Sequence, residues 1–157
     1  GLRLSACRSS IDEFTSGMFQ RILLDREVTD PTKVRRILVC TGKMYYDLAE
    51  ARKERDVKDI AIVRMEQLYP IADADITRAI ETYPQAKELV WVQEEPANMG
   101  ARRFMMPRFR RLFPKHGIKS VTRIESASPA TGSYKAHQME QRALVDASFG
   151  AFDKLNR

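Results

Sequence analysis

VRRILVCTGKMYYDL, residues Val34 to Leu48, is the stretch on which the fold turns. Its continuous apolar run, Ile37 to Cys40, lacks the alternation of a half-wet strand and therefore reads as a strand buried on both faces. Thr41-Gly42 then turns the chain. From Lys43 to Arg55 the apolar positions Met44, Tyr45, Leu48 and Ala49 fall on one helical side, so the segment is a strand–turn–helix unit.

The same unit recurs downstream. Ile60 to Met65 predicts a strand, Glu66 to Ile71 a loop containing Pro70, and about Asp73 to Tyr83 a helix with Ile76, Ala79, Ile80 and Tyr83 inward, stopped by Pro84. Next comes LVWVQEEPANMG, Leu89 to Gly100, in which an apolar run holding the only tryptophan stops at Gln93, Glu94 and Glu95 and passes into a polar loop. Ala101 to Phe113 predicts a helix that Pro107 should start, kink or divide. Val121 to Glu125 alternates and reads as an edge strand, and Ser133 to Phe149 as a last helix with Ala136, Met139, Ala143 and Ala147 on one side. Upstream, Ser10 with Glu13 suggests a capping box and Phe19 to Leu23 a short strand.

Buried strands alternating with amphipathic helices require crossover connections, so the fold class is α/β, a mostly parallel sheet flanked by helices. The expected organisation is an N-terminal arm or linker over 1–33, an α/β domain over 34–150 and a tail over 151–157. In such a sheet the loops at the carboxyl ends of the strands carry ligand or partner contacts. That edge gathers Thr41-Gly42-Lys43, Glu66-Gln67, Gln93-Glu94-Glu95 and Ser126 to Ser128. The candidate effector or interface residues are Thr41, Lys43, Arg64, Gln67, Gln93, Glu94, Asn98 and Ser126.

Composition narrows the function. Apolar residues make up 43% and charged residues 31% of 157, and no apolar run nears the ~20 residues of a membrane span, so a globular chain without a bilayer segment is expected. The chain opens at Gly1 without a signal pattern, as if cut from something longer. Cys7 and Cys40 have no ligand spacing and fit a reducing compartment. The net charge of +6 is concentrated in Arg102, Arg103, Arg108, Arg110, Arg111, Lys115 and Lys119. Phe104, Phe109 and Phe113 among those arginines would permit stacking on nucleic acid. Their spacing also suits packing against a sheet, and that reading outweighs it.

Catalytic chemistry is sparse. There is no GxGxxG, Walker or GxSxG sequence, and His116 and His137 lack partners at metal-ligand spacing. Glu94 and Glu95 are adjacent, so on extended backbone they point to opposite sides and cannot act as a dyad. The Thr41-Gly42-Lys43 turn could place backbone N–H groups and a lysine near an anion. Trp91, Met44, Met65 and Met139 are expected in the core.

Four ordered segments, VRRILVCTGKMYYDL, DIAIVRMEQLYPI (Asp59 to Ile71), VWVQEEPANMGA (Val90 to Ala101) and SASPATG with Lys135 and His137, resemble the C-terminal domain of the first component of 2-oxoglutarate dehydrogenase. The resemblance runs from about Leu2 to Gly150. It implies a transketolase C-terminal-domain-like three-layer sandwich, one domain of a large homodimeric subunit. The family enzyme uses thiamine diphosphate and Mg2+ to decarboxylate 2-oxoglutarate and passes the succinyl group to the lipoyl group of the succinyltransferase component. The thiamine-binding GDG signature is not in this sequence, so that cofactor and the catalytic residues are expected upstream, with none in this chain.

On this reading the chain completes subunit and dimer interfaces and is a candidate host for an acetyl-CoA or AMP effector, in a bacterial cytoplasm or mitochondrial matrix. Many bacterial relatives read QEEPxNQGAW where this chain has Met99 and Arg102; Met99-Gly100 and Pro107 to Phe109 look more like the mitochondrial form. Two alternatives stay open: the equivalent domain of a pyruvate or branched-chain dehydrogenase or of transketolase, and a basic nucleic-acid-binding module over Arg102 to Lys119.

Overall fold

A computed structural model describes residues 18–129 and 132–150. The strands are β1 (Ile22–Leu23), β2 (Arg36–Thr41), β3 (Ile60–Met65), β4 (Glu88–Pro96) and β5 (Gly117–Arg123). The helices are α1 (Met44–Glu54), α2 (Asp73–Glu81), α3 (Arg102–Leu112) and α4 (Tyr134–Phe149). One sheet has the order β1-β3-β2-β4-β5, in which β1 is antiparallel to β3 and every other pairing is parallel.

The buried strands alternate between two cores. Ile37, Val39, Ala61, Val63, Leu89 and Trp91 face α2 and α3, where they meet Ile76, Ile80, Met105, Phe109 and Phe113. Leu38, Cys40, Ile60, Ile62, Val90 and Val92 face Met44 and Leu48 of α1 and Leu144 of α4. The result is a helix–sheet–helix sandwich. Its handedness follows from strand twist: right-handed crossovers that step outward from β2 to β3 and back across to β4 must put their helices on opposite faces.

Several boundaries differ from the sequence reading. β4 does not stop at Val92 but runs on to Pro96, so Gln93, Glu94 and Glu95 belong to the strand. Polarity hid this, because Gln93 is buried with its amide fully hydrogen-bonded. β5 starts at Gly117, four residues before the expected Val121, since pairing with β4 from Glu88↔Gly117 onward defines it and its outer edge tolerates Lys119 and Ser120. It is the sheet edge, as expected. β1 is confined to Ile22–Leu23, and the Ser10–Glu13 capping box lies outside the described residues.

The helices bring their own corrections. α3 runs through Pro107 undivided; the proline is on the exposed side, where the lost hydrogen bond is least costly. Phe109 and Phe113 are core, but Phe104 is exposed beneath the Arg108 guanidinium, 4.8 Å from its ring centroid. In α4 the inward side is Leu144, Val145 and Ser148, whereas Met139 and Ala143 face solvent. Alanine is compatible with either environment, so the expected stripe was set by residues that carry little signal.

Two buried ionic groups lock chain segments distant in sequence. Asp25 follows β1, and its carboxylate accepts from Arg52 Nη1 and Nη2 and, at 2.7 Å, from the Ile62 amide, so it replaces a strand partner along β3 where β1 has ended. Arg36 donates Nε to Glu88 at 2.6 Å and Nη1 to the carbonyls of Ser148 at 3.0 Å and Gly150 at 2.9 Å. A guanidinium there both satisfies the open carbonyls of α4 and meets the negative end of its dipole.

These locks make two predictions. Asp25→Ala strands Arg52 and the Ile62 amide in the interior and should cost about 3–5 kcal/mol in urea unfolding. Lys58→Ala, which removes a pair exposed on both sides, should cost less than about 1 kcal/mol. Burial raises the Glu88 pKa, but Arg36 and Lys119 outweigh it and leave the carboxyl below its usual 4.5. A depressed folded-state pKa favours the folded form above the unfolded value and loses that contribution as pH falls through the folded value. The stability advantage of the native chain over Glu88→Gln should therefore be full at neutral pH and shrink below pH 4.5.

Candidate functional site at the carboxyl edge of the sheet

The connection from β2 leaves toward β3 while that from β4 leaves toward β5, so the crevice between the ends of β2 and β4 is the topological switch point, where open α/β sheets bind ligands. Gly42, at φ +53°, makes the turn out of β2, and its hydrogen position faces open space. Lys43 follows at the N-terminus of α1. Its Nζ lies 3.1 Å from Asp47 Oδ2 and 3.7 Å from Glu94 Oε2, bridging the two sides of the crevice. Gln141 of α4 donates to the same Asp47 oxygen at 2.6 Å. This cluster opens into a groove of about 590 Å3 between α1 and α4, lined near the sheet edge by Tyr134, His137 and Gln138.

Gln93 points to the opposite face and is spent inside the domain. Its Oε1 accepts from Trp91 Nε1 at 2.8 Å and from the Arg102 amide at 2.9 Å, and its Nε2 donates to the carbonyls of Met99 at 2.8 Å and Pro96 at 3.2 Å. One side chain thus holds the end of β4, the following loop and the first turn of α3. The Arg102 side chain continues the tie, with Nε on Ser120 Oγ at 2.9 Å. Arg102, read from sequence as a departure from bacterial relatives, is a bracing residue between α3 and β5.

The remaining candidates form separate groups. Asn98 Nδ2 donates to Ser126 O at 2.9 Å and Asn98 Oδ1 accepts from Ser126 N at 3.1 Å, which zips the loop after β4 to the segment after β5. Arg64 donates to Tyr46 Oη at 3.0 Å, lies 4.7 Å from the Tyr45 ring centroid and pairs with Glu66. Burial pushes the Tyr45 hydroxyl above its usual range. Gln67 folds back onto Pro70 O, and Thr41 is placed by pairing with Met65. The edge therefore unites Lys43 with Glu94 and Asn98 with Ser126. It leaves Arg64 with its own aromatic partners and turns Gln93 inward.

Sequence reasoning passed over Tyr46, Asp47 and Gln141. Asp47 carried a signal, since it stands four residues after Lys43 on one helix, whereas Gln141 reaches the cluster only through tertiary packing. Asp47 and Glu94, the carboxylates of the crevice, both pair with Lys43. Among the described residues no group of three or more His, Cys, Asp or Glu could hold a metal ion.

A family model described as 2-oxoglutarate dehydrogenase C-terminal matches residues 8–149. The chain belongs to that family. It is 40% identical over 146 residues to the 2-oxoglutarate dehydrogenase E1 component of Haemophilus influenzae, covering 92% of this chain and 16% of that protein. It is 41% identical over 153 residues to the 2-oxoglutarate dehydrogenase E1/E2 component of Corynebacterium glutamicum, covering 96% of this chain and 12% of that one. Its likeness to the E1 component of Cupriavidus necator is 38% over 149 residues. The chain spans about a sixth or less of the length of the relatives it matches.

Gly100 tests the Gln93 latch. Its φ is +65°, and an added Cβ would lie 2.9 Å from Gln93 Nε2. Gly100→Ala should cost about 2 kcal/mol or more by combining backbone strain with displacement of the amide, whereas Gly42→Ala, equally left-handed but uncrowded, should cost about 1 kcal/mol. Paired urea titrations separate the two.

Proposed function

We propose that this chain is the C-terminal domain of a 2-oxoglutarate dehydrogenase first component and works as a dependent domain of that thiamine-diphosphate enzyme. The observation that carries the reading is the family match over residues 8–149, joined to an edge whose polar groups are committed to holding loops together. Decarboxylation of 2-oxoglutarate and succinyl transfer to the lipoyl groups of the succinyltransferase component belong to the whole homodimeric subunit. This domain contributes assembly with the upstream domains and the second subunit, in a reducing compartment.

The Lys43 crevice favours one regulatory role within this reading. A lysine at a helix N-terminus, held among the described residues by two partly exposed carboxylates, can exchange them for an anionic ligand such as the phosphates of acetyl-CoA or AMP. Binding would free Glu94 and Asp47 and so alter the contact between α1, β4 and α4.

The full-length polypeptide should decarboxylate 2-oxoglutarate when supplied with thiamine diphosphate and Mg2+, and residues 1–157 alone should not. Activity of the fragment alone, or a full-length sequence lacking the upstream GDG signature, overturns the assignment. Calorimetry of the full-length protein with acetyl-CoA and with AMP should give heat that Lys43→Ala weakens at least about tenfold, the scale of one lost charged contact. No heat from either ligand removes the effector role.

A further inference from the structure

The outer side of α3 is built against the helix that carries it. The sequence RRFMMPRFRRL, Arg102 to Leu112, holds five arginines and no acidic residue. At about 100° per residue, Arg103, Phe104, Pro107, Arg110 and Arg111 fall on one side, turned away from the buried Met105, Met106 and Phe109. Three choices on that side cost the fold something. Arg103 stands in the first turn, at the positive end of the helix dipole, Pro107 removes a backbone donor, and Phe104 leaves 42% of its surface in water. Local rules broken together on one exposed face mark a surface kept for a partner.

The charge of this side is not neutralised among the described residues. Arg102 donates to Ser120 Oγ and Ala97 O, both uncharged, and Arg108 and Arg111 share the single carboxylate of Asp73, at 3.2 and 2.7 Å. Arg103 and Arg110 are exposed and have no ion pair among the described residues. They stand two helical turns apart, about 10 Å along the axis, with Pro107 between them and Phe104 alongside. We infer that this side of α3 binds an acidic segment of another protein, in which two carboxylates meet Arg103 and Arg110 and an apolar side chain between them covers Phe104 and Pro107. Charge complementarity selects that occupant, since a second copy of this chain brings the same basic excess, +6 in all. The aromatic side disfavours nucleic acid: Arg108 covers one face of the Phe104 ring at 4.8 Å, and Phe109 and Phe113 are buried, so α3 offers no row of open rings on which bases could stack. Arginines set around an apolar centre are instead the arrangement of a protein interface. The surface lies across the sheet from α1 and is independent of the effector role of Lys43.

Fluorescence anisotropy of the full-length protein at low salt tests the inference. The probe is a fluorescein-labelled peptide of repeated Glu-Glu-Leu triplets, whose extended chain repeats its carboxylates every ~10 Å. The native protein should bind it at least about fivefold more tightly than the same peptide with glycine in place of leucine, because the glycine peptide leaves Phe104 and Pro107 uncovered. Arg103→Glu combined with Arg110→Glu should weaken the leucine peptide at least about tenfold, and Phe104→Ala should remove the preference for leucine over glycine. The side chains changed are exposed, so the urea midpoints of the variants should match that of the native protein; where one does not, the comparison of the two peptides on the native protein decides. No binding by the native protein, equal binding of the two peptides, or undiminished binding by the charge-reversed variant overturns the inference. Tighter binding of an oligodeoxythymidylate of the same length than of the leucine peptide would assign the face to nucleic acid and overturn it as well.

Discussion

The Gln93 carboxamide is the interaction on which the working edge of this domain depends. A glutamine in a sheet interior is costly unless both its oxygen and its nitrogen find partners, and here they find Trp91, Arg102, Met99 and Pro96. The cost of leaving any of these groups unpaired is what fixes the loop after β4. Gly100 is required beside it because the amide occupies the space a side chain would fill. The loop carries Asn98, which in turn zips to Ser126, so the order of the edge propagates outward from one buried side chain.

The ionic groups follow the same logic on a larger scale. Asp25 and Arg36 are buried charges, and each is placed where the backbone leaves hydrogen-bonding groups open, on the unpaired stretch of β3 and at the end of α4. Their partners come from segments far apart in sequence. Such pairs add less net stability than their geometry suggests, because desolvation offsets the attraction, but breaking one leaves a charge stranded. They therefore enforce a single arrangement of the arm, the sheet and the last helix.

The same commitments order the carboxyl edge of the sheet. The Gln93 and Asn98 amides hold its loops together, and the crevice carboxylates pair with Lys43. Lys43 stands over the crevice between partly exposed carboxylates of α1 and β4. The family to which the chain belongs is a C-terminal one.

The sequence by itself determined the α/β class, the order of strands and helices and the family. Runs such as Ile37 to Cys40 and Ile60 to Met65 can be satisfied only by burial on both faces, and Gly42 marks a turn by backbone freedom alone. Lys43 and Glu94 were also legible as edge residues, because strand ends are set by local pattern. Only the tertiary structure decided that β4 continues through Gln93 to Pro96, that β5 begins at Gly117 and that α4 turns Met139 outward. Each of those depends on partners remote in the chain: a polar residue is core or loop according to what it hydrogen-bonds, and an edge strand is defined by its neighbour. The QEEPANMG stretch, locally a polar loop, becomes half strand and half latch once Trp91 and Arg102 are beside it.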